Sequence, residues 1–384
     1  PIGSYYVKEL ATNSAYILNG QKYPVVFEYA GQKTATVHIT ANGGEAIEND
    51  IIYGSVSGKK SDEDGNALGG AVIGIFKTGT EKFTTENAIQ TTVTAADGSF
   101  SFEKVPYGTW VIREIESPTG FVLSEEKITV TIGAVDEVVE IELVNYFIRG
   151  NIELTKVDKD YPDNKLTGAE FEVFADTNGD VKLDNDDKLL GTMTELDGGV
   201  YQMKELRYGK YLVREKTAPT GFVLDENVYS VSIEGNGKTY IVENEADVGF
   251  VNAAQKGSLK IVKTSSDGKI EGFSFRVTGA DGYDQTFKTD KNGEIFIEGL
   301  RIGEYTISEV NNSVSAGYIL PADKEAAVQT GSTTVVEMHN ELRDTPKTGD
   351  NSKLGLWLTL AGVSVAGIVT CGIIGFKKKK KEDN

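Results

Sequence analysis

The chain has 384 residues, with 39 Lys and Arg against 58 Asp and Glu for a net charge of −19; that is length for two to four domains with real cores, and an acidity that repels nucleic-acid phosphates and anionic lipid heads. The single cysteine, Cys371, lies in a C-terminal apolar run and the two histidines are His38 and His339, so the rest of the chain holds no disulfide, thiolate metal site, papain-type nucleophile or histidine-based triad. Gly (43) far outnumbers Pro (8) and Tyr, Phe, Val, Ile and Thr are plentiful, the usage of short strands joined by glycine turns, which predicts an all-β multidomain protein.

The N-terminal "PIGSYYVKEL" has neither a basic start nor an apolar h-region, which sets the expectation of a C-terminal portion of a longer secreted chain. Residues 1–53 read as the second half of a repeat, with "GSYYVKE" ending at Glu9 and "AIEN" at Asn49. Three complete copies follow, at 54–149, 150–256 and 257–343, a period of tandem domains rather than of a solenoid. Each opens on a glycine followed six residues later by lysine: "GSVSGKK" to Lys60, "GNIELTK" to Lys156, "GSLKIVK" to Lys263. Each continues with a glycine followed six residues later by glutamate: "GTWVIRE" to Glu114, "GKYLVRE" to Glu215, "GEYTISE" to Glu309. Each closes on an apolar strand ending in Asn145, Asn252 or Asn340. With so little chain between a closing Asn and the next opening Gly there is no flexible Gly/Ser or Pro-rich linker, and a stiff string of domains is expected.

Within 150–256, "DTNGDVKLDNDD" places Asp176, Asn178, Asp180, Asp184 and Asp187 at loop positions one, three, five, nine and twelve, the oxygen spacing of a calcium loop. Val181 stands where such loops need Gly, Asp187 replaces the usual Glu and strands flank the segment, so a solvated acidic turn is the favoured reading, with calcium as the alternative. "YPDN" at 161–164 has Asp163 where a pilin polymerisation motif carries lysine.

Residues 344–353 form a polar spacer, "DTPKTGDNSK", containing Thr345, Pro346, Lys347, Thr348 and Gly349. The run 354–376 carries no charge and suffices for one transmembrane helix. The tail 377–384 begins with Lys377 to Lys381, which by the positive-inside rule is cytoplasmic, with residues 1–353 outside.

Alternate residues of a strand share a face. Lys156 therefore lies with Ile152 and Leu154, Glu215 with Tyr211 and Val213, Asn252 with Val248 and Phe250, and the other copies repeat the pattern. Nine polar residues thus point into apolar faces, and burying an isolated ammonium or carboxylate costs several kcal/mol unless it is paired, neutralised or consumed. Two readings fit: a buried Lys–Glu ion pair with a hydrogen-bonding Asn, or a reaction. Desolvation favours neutral amine and protonated acid; a neutral lysine is a nucleophile, the Asn carboxamide an electrophile, and the Glu proton can polarise the carbonyl and help ammonia leave.

"YLVREKTAPTGF" from Tyr211 and "WVIREIESPTGF" from Trp110 resemble the YxLxExxAPxGY motif of Cna-B-type domains, also called SpaA-like or prealbumin-like, which are Ig-like β-sandwiches of Gram-positive surface proteins and pilins. In the third complete copy the motif decays to "YTISEVNNSVSAGY", without Pro and two residues longer. The resemblance implies Lys60–Asn145, Lys156–Asn252 and Lys263–Asn340 isopeptide crosslinks, with Glu114, Glu215 and Glu309 as catalytic acids, and Glu9 in the half copy. The pentapeptide Thr345 to Gly349, apolar run and lysine tail together resemble a cell-wall sorting signal of the LPxTG kind, with Thr345 in place of Leu. That implies a sortase attacking the Thr348 carbonyl and transferring the chain to peptidoglycan, the membrane serving as transient anchor. The expected function is the stalk of an adhesin or minor pilin, holding a region that binds a host extracellular ligand, with no enzymatic turnover and no cofactor other than the calcium alternative. Two other classes stay open: the stalk of a surface enzyme whose catalytic domain lies upstream, and a membrane-retained ligand-binding module.

Overall fold

The structure, a computed structural model, describes residues 1–344 other than residue 35. It is built from strands joined by turns, with short 3-10 turns as its only helical elements among the described residues. Two compact units divide the chain, Pro1–Ala253 and a second beginning at Ala254.

Each complete copy is a sandwich of two sheets. In the copy 54–149, the lysine strand Tyr53–Asp62 is central in one sheet, antiparallel to Ser99–Pro106 and parallel to the asparagine strand Val138–Asn145. The glutamate strand Gly108–Glu116 lies in the other sheet, between Val72–Lys77 and Ile128–Ile132. Val56, Phe102 and Leu143 of the first sheet pack against Ile73, Ile112 and Ile132 of the second in one core, so the strands alternate apolar-in and polar-out as half-buried sheets require. The copy 257–343 repeats this with Lys256–Ser265, Gly303–Val310 and Thr333–Leu342. In the copy 150–256 the parallel partner of the lysine strand Arg149–Asp158 is split: Lys238–Ile241 pairs its first half, and the three-residue strand Phe250–Asn252 its second. The Asn244 side chain fixes that short strand, donating to the Val251 carbonyl at 3.0 Å and accepting from the Val251 amide at 2.6 Å.

The repeated opening glycine has a physical cause. Each lysine strand shifts register just after it, between Gly54 and Val56, Gly150 and Ile152, or Gly257 and Leu259. A Cβ on these glycines would stand 2.6, 2.9 and 2.2 Å from the carbonyl oxygens of Glu137, Lys238 and Gln329, the close backbone approach that marks Gly within strands.

Within residues 1–53, Gly3–Lys8 pairs antiparallel with Lys22–Phe27, as the glutamate strand of every complete copy pairs antiparallel with a later strand of its sheet. Within the first unit the joint at 146–149 is bonded rather than free. Ile148 N donates to Gly120 O and Tyr208 N to Ile148 O, both at 2.8 Å; Arg149 pairs with Glu63 at 2.7 Å, and the Arg207 guanidinium lies 3.9 Å from the centre of the Phe147 ring.

Among the described residues no helix is long and apolar enough to cross a membrane. The expected span at 354–376, the sorting pentapeptide 345–349 and the basic tail 377–384 lie outside the described residues.

Candidate functional site

One register recurs in all three complete copies. On the parallel strand pair, Lys60, Lys156 and Lys263 stand opposite Leu143, Phe250 and Met338, each two residues before the closing asparagine. On the other sheet Glu114, Glu215 and Glu309 stand opposite Ile73, Phe171 and Phe275. Because a strand repeats its facing every two residues, the register sends one amine, one carboxyl group and one carboxamide into the same core. All nine side chains belong to buried residues, the most open being Glu309 at 8% exposure.

A turn missed in the sequence steadies the lysine strand. The amides of Lys60, Lys156 and Lys263 donate to Gly98 O, Gly199 O and Gly293 O at 2.8 to 2.9 Å. These glycines have φ of 74°, 71° and 75°, and a Cβ on Gly98 would meet the Lys60 carbonyl at 2.2 Å. The spacing from lysine to this glycine differs in each copy, which hid it from a search at fixed offsets; the recurrent "DG" or "NG" ahead of the next strand was the available signal.

In the copy 54–149 the groups meet most fully. Lys60 Nζ donates to Asn145 Oδ1 and lies 3.6 Å from Glu114 Oε1. Asn145 Nδ2 donates to Glu114 Oε1 and Oε2 at 2.8 and 3.0 Å and to Ser117 Oγ at 2.9 Å. Glu114 Oε2 also accepts from the Ser124 amide at 2.7 Å. Glu114 thus faces the carboxamide NH2 and the lysine, and the carboxamide oxygen faces the lysine. One carboxyl group therefore lies near both the lysine amine and the carboxamide NH2.

In the copy 150–256, Asn252 Nδ2 donates to both Glu215 oxygens at 2.9 Å, and the Asp225 amide to Glu215 Oε2 at 2.8 Å. Lys156 Nζ donates instead to the Phe250 carbonyl at 2.9 Å, and Asn252 Oδ1 is buried without a partner. In the copy 257–343, Asn340 Nδ2 donates to Glu309 Oε1 at 2.7 Å. There Lys263 Nζ donates to the Thr264 carbonyl, and both Glu309 Oε2 and Asn340 Oδ1 are buried without partners. The half copy joins two of the three groups: Asn49 Nδ2 donates to Glu9 Oε1 at 2.8 Å and the Asn19 amide to Glu9 Oε2 at 2.7 Å. The carboxylate oxygen thus takes the amide ten residues onward in three copies and loses it in the one whose motif has decayed.

Burial shifts the titration of several of these groups. It pushes the Lys156 ammonium down to about 8, against the opposing pull of Glu215, and it lowers Lys60 and Lys263 against Glu114 and Glu309. It raises the carboxyl groups of Glu215 and Glu309 despite the hydrogen bonds each accepts. In the half copy Glu9 is held low, first by the Asn49 side chain and then by the Asn19 amide. Desolvation in a closed core accounts for the opposite sign.

The oxygens of the calcium-like spacing accept hydrogen bonds from amides of their own loop. Asp176 accepts from the amides of Gly179 and Val181, Asp187 from Thr177 and Asp184, Asp180 from Lys182, Asp184 from Asp186, and Asn178 from Asp180. These oxygens serve their own loop, and among the described residues no group of three or more His, Cys, Asp or Glu side chains is arranged to hold a metal ion.

The family described as SpaA, prealbumin-like fold domain, matches residues 54–146, 150–247 and 257–342; Asn252 falls just beyond its stretch. No curated protein matches the chain. Among solved structures, the Bacillus anthracis TIE protein is 23% identical with a TM-score of 0.60, over 85% of this chain and 58% of that one; the chain thus spans a little over half of that structure's length. BcpA, the major pilin subunit of Bacillus cereus, is 14% identical with a TM-score of 0.36, over 76% of this chain and 99% of that one. A streptococcal ancillary pilin is 16% identical with a TM-score of 0.29, over 76% and 99%. With the family matched three times in tandem over most of its length, the chain belongs to the SpaA family of prealbumin-like fold domains.

Proposed function

We propose that the chain is a surface stalk whose complete domains each close with a Lys–Asn isopeptide bond formed without an external enzyme. The observation that carries this is the recurrence, in one register, of a buried amine, carboxyl group and carboxamide in three separate cores. An ion pair alone requires neither the carboxamide nor its place on the last strand.

The chemistry balances within the three side chains. Neutral Lys60 Nζ adds to Asn145 Cγ, the Cγ–Nδ2 bond breaks, and one Nζ proton passes through Glu114 to Nδ2, which departs as ammonia. Glu114 Oε1, 3.6 Å from Nζ and 2.8 Å from Nδ2, is placed for that transfer, and proton transfer by a positioned carboxyl group is an established source of rate. The product ties the first strand to the last, so a pulling force crosses the domain without unzipping the sheet. It needs no cysteine, in keeping with a chain whose one Cys lies at 371.

The sorting-like pentapeptide 345–349, with the apolar and basic segments after it, supports covalent attachment to peptidoglycan by a sortase and an extracellular, wall-anchored place for residues 1–348. In that setting the domains hold a ligand-binding region away from the cell. Mass spectrometry of the intact chain tests the crosslinks: each bond makes it one ammonia lighter, and digestion yields branched Lys–Asn peptides. A full calculated mass would refute self-crosslinking in every copy. Anchoring is checked separately by Thr348→Ala, which shifts the protein from the wall fraction to the membrane.

A further inference from the structure

We propose that Ser117 is a positioning residue for crosslinking in the copy 54–149, fixing the Asn145 carboxamide with its NH2 toward Glu114 and its oxygen toward Lys60. This rests on the crosslinking reading above and names a group that the Lys, Glu and Asn set does not include.

Ser117 follows Glu114 by three residues, immediately before the Pro118 turn. Its one hydroxyl proton is within reach of Phe121 O at 3.2 Å and Pro118 O at 3.4 Å, which leaves a lone pair for Asn145 Nδ2 at 2.9 Å. A carboxamide can turn by half a circle and exchange its oxygen for its nitrogen. A carboxylate facing it favours the NH2 side, and a second acceptor on the same nitrogen holds it there. With that end fixed, Oδ1 faces Lys60 Nζ and accepts from it, so the amine is held next to the carbon it must attack.

The other copies vary this one position. Ala218 occupies it in 150–256; there Asn252 Nδ2 keeps Glu215 at 2.9 Å, but Asn252 Oδ1 has no partner and Lys156 bonds the Phe250 carbonyl. Asn312 occupies it in 257–343 and turns to Ser274 Oγ at 2.8 Å and Gly272 O at 2.9 Å; Asn340 Oδ1 has no partner, and Lys263 bonds the Thr264 carbonyl. The half copy has Thr12 in the same place, and Thr12 Oγ1 accepts from Asn49 Nδ2 at 2.6 Å. A hydroxyl at this offset thus binds the carboxamide NH2 in both copies that have one. Of the three complete copies, the one with the hydroxyl is the one whose lysine addresses the asparagine.

The test is a time course of cell-free synthesis of the full chain, quenched in acid and digested, with branched Lys60–Asn145 peptide measured against branched Lys156–Asn252 peptide from the same molecules. Ser117→Ala is expected to slow the first relative to the second by about tenfold, the worth of one well-placed hydrogen bond, while Ser117→Thr restores it. Ala218→Ser is expected to speed Lys156–Asn252 formation. In a Lys60→Ala background, where no bond can form in this copy, the melting temperature of Ser117→Ala reads the cost of the lost hydroxyl bonds on folding alone, and a domain that still folds cooperatively there separates orientation from folding. An unchanged peptide ratio in Ser117→Ala, or a fall in Ser117→Ala matched by Ser117→Thr, overturns the proposal while leaving crosslinking intact. Absence of every branched peptide from the unmodified chain overturns the crosslinking reading and this proposal with it.

Discussion

The copies 54–149 and 257–343 share strand order, parallel register and buried triad, and differ in how the triad is held. In the first, Glu114 is bonded by the Ser124 amide and by Asn145, and Asn145 by Ser117 and Lys60. In the second, the segment between glutamate and the next motif glycine is two residues longer and contains the 3-10 turn Ser315–Gly317. No amide reaches Glu309 Oε2, and Asn340 Oδ1 is likewise unpartnered. The sheets bring the amine, carboxyl group and carboxamide into one core, whereas the loop after the glutamate decides how they are turned, and a buried polar atom left unpaired costs about 1–3 kcal/mol.

The largest effect that could break this comparison is loss of the proposed isopeptide bond. Glu114→Ala is expected to restore one ammonia of mass to the domain and to lower its stability by roughly 4–5 kcal/mol, the constraint expected for closing a loop of about a hundred residues; a crosslinked Glu114→Ala chain would refute the role given to the carboxyl group. Next comes rate. Branched Lys60–Asn145 peptide should form about tenfold or more ahead of Lys263–Asn340, since one unpaired group is worth that factor. Replacing residues 310–316 with the sequence of 115–119 should close the gap, and equal rates in the unmodified chain would remove the loop from the account.

The pH response sharpens the same point from the side of charge. In Asn252→Ala no bond can form and Lys156 stays buried. Its folded value of about 8 lies below the ordinary 10.5, so between those limits the unfolded chain binds more protons. The lysine's contribution to stability therefore rises as pH increases from about 8 to 10.5. Melting curves of Asn252→Ala that fall or stay flat across that window would show Lys156 to be charged in the fold. The smallest expected effect is at the joint. Arg149→Ala removes a partly exposed pair with Glu63 and should cost less than about 1 kcal/mol, read as a small loss in the melting temperature of the first unit.

Much of this was legible in the residues alone. The glycine-to-lysine and glycine-to-glutamate spacings, repeated three times, mark equivalent strands, and their two-residue alternation puts Lys156, Glu215 and Asn252 on inward faces before any coordinates exist. The meeting of Glu9 and Asn49 was legible in the same way. Two features were not. The glycine turn that steadies each lysine strand lies at a different distance in every copy, so no fixed offset finds it. The hydroxyl of Ser117 looked like one more polar residue beside a proline.

The sequence by itself determined the all-β class, the tandem copies and the inward facing of nine polar side chains, because strand geometry is periodic and the period is written in the order of residues. Which oxygen of a carboxyl group meets which amide, whether a carboxamide shows its nitrogen or its oxygen to an amine, and whether a carboxyl group is raised as at Glu215 or lowered as at Glu9 were decided by the tertiary structure alone. Those outcomes depend on groups distant along the chain reaching a common dry core, where hydrogen bonds and desolvation act over a few ångströms and sequence separation has no bearing on the distance.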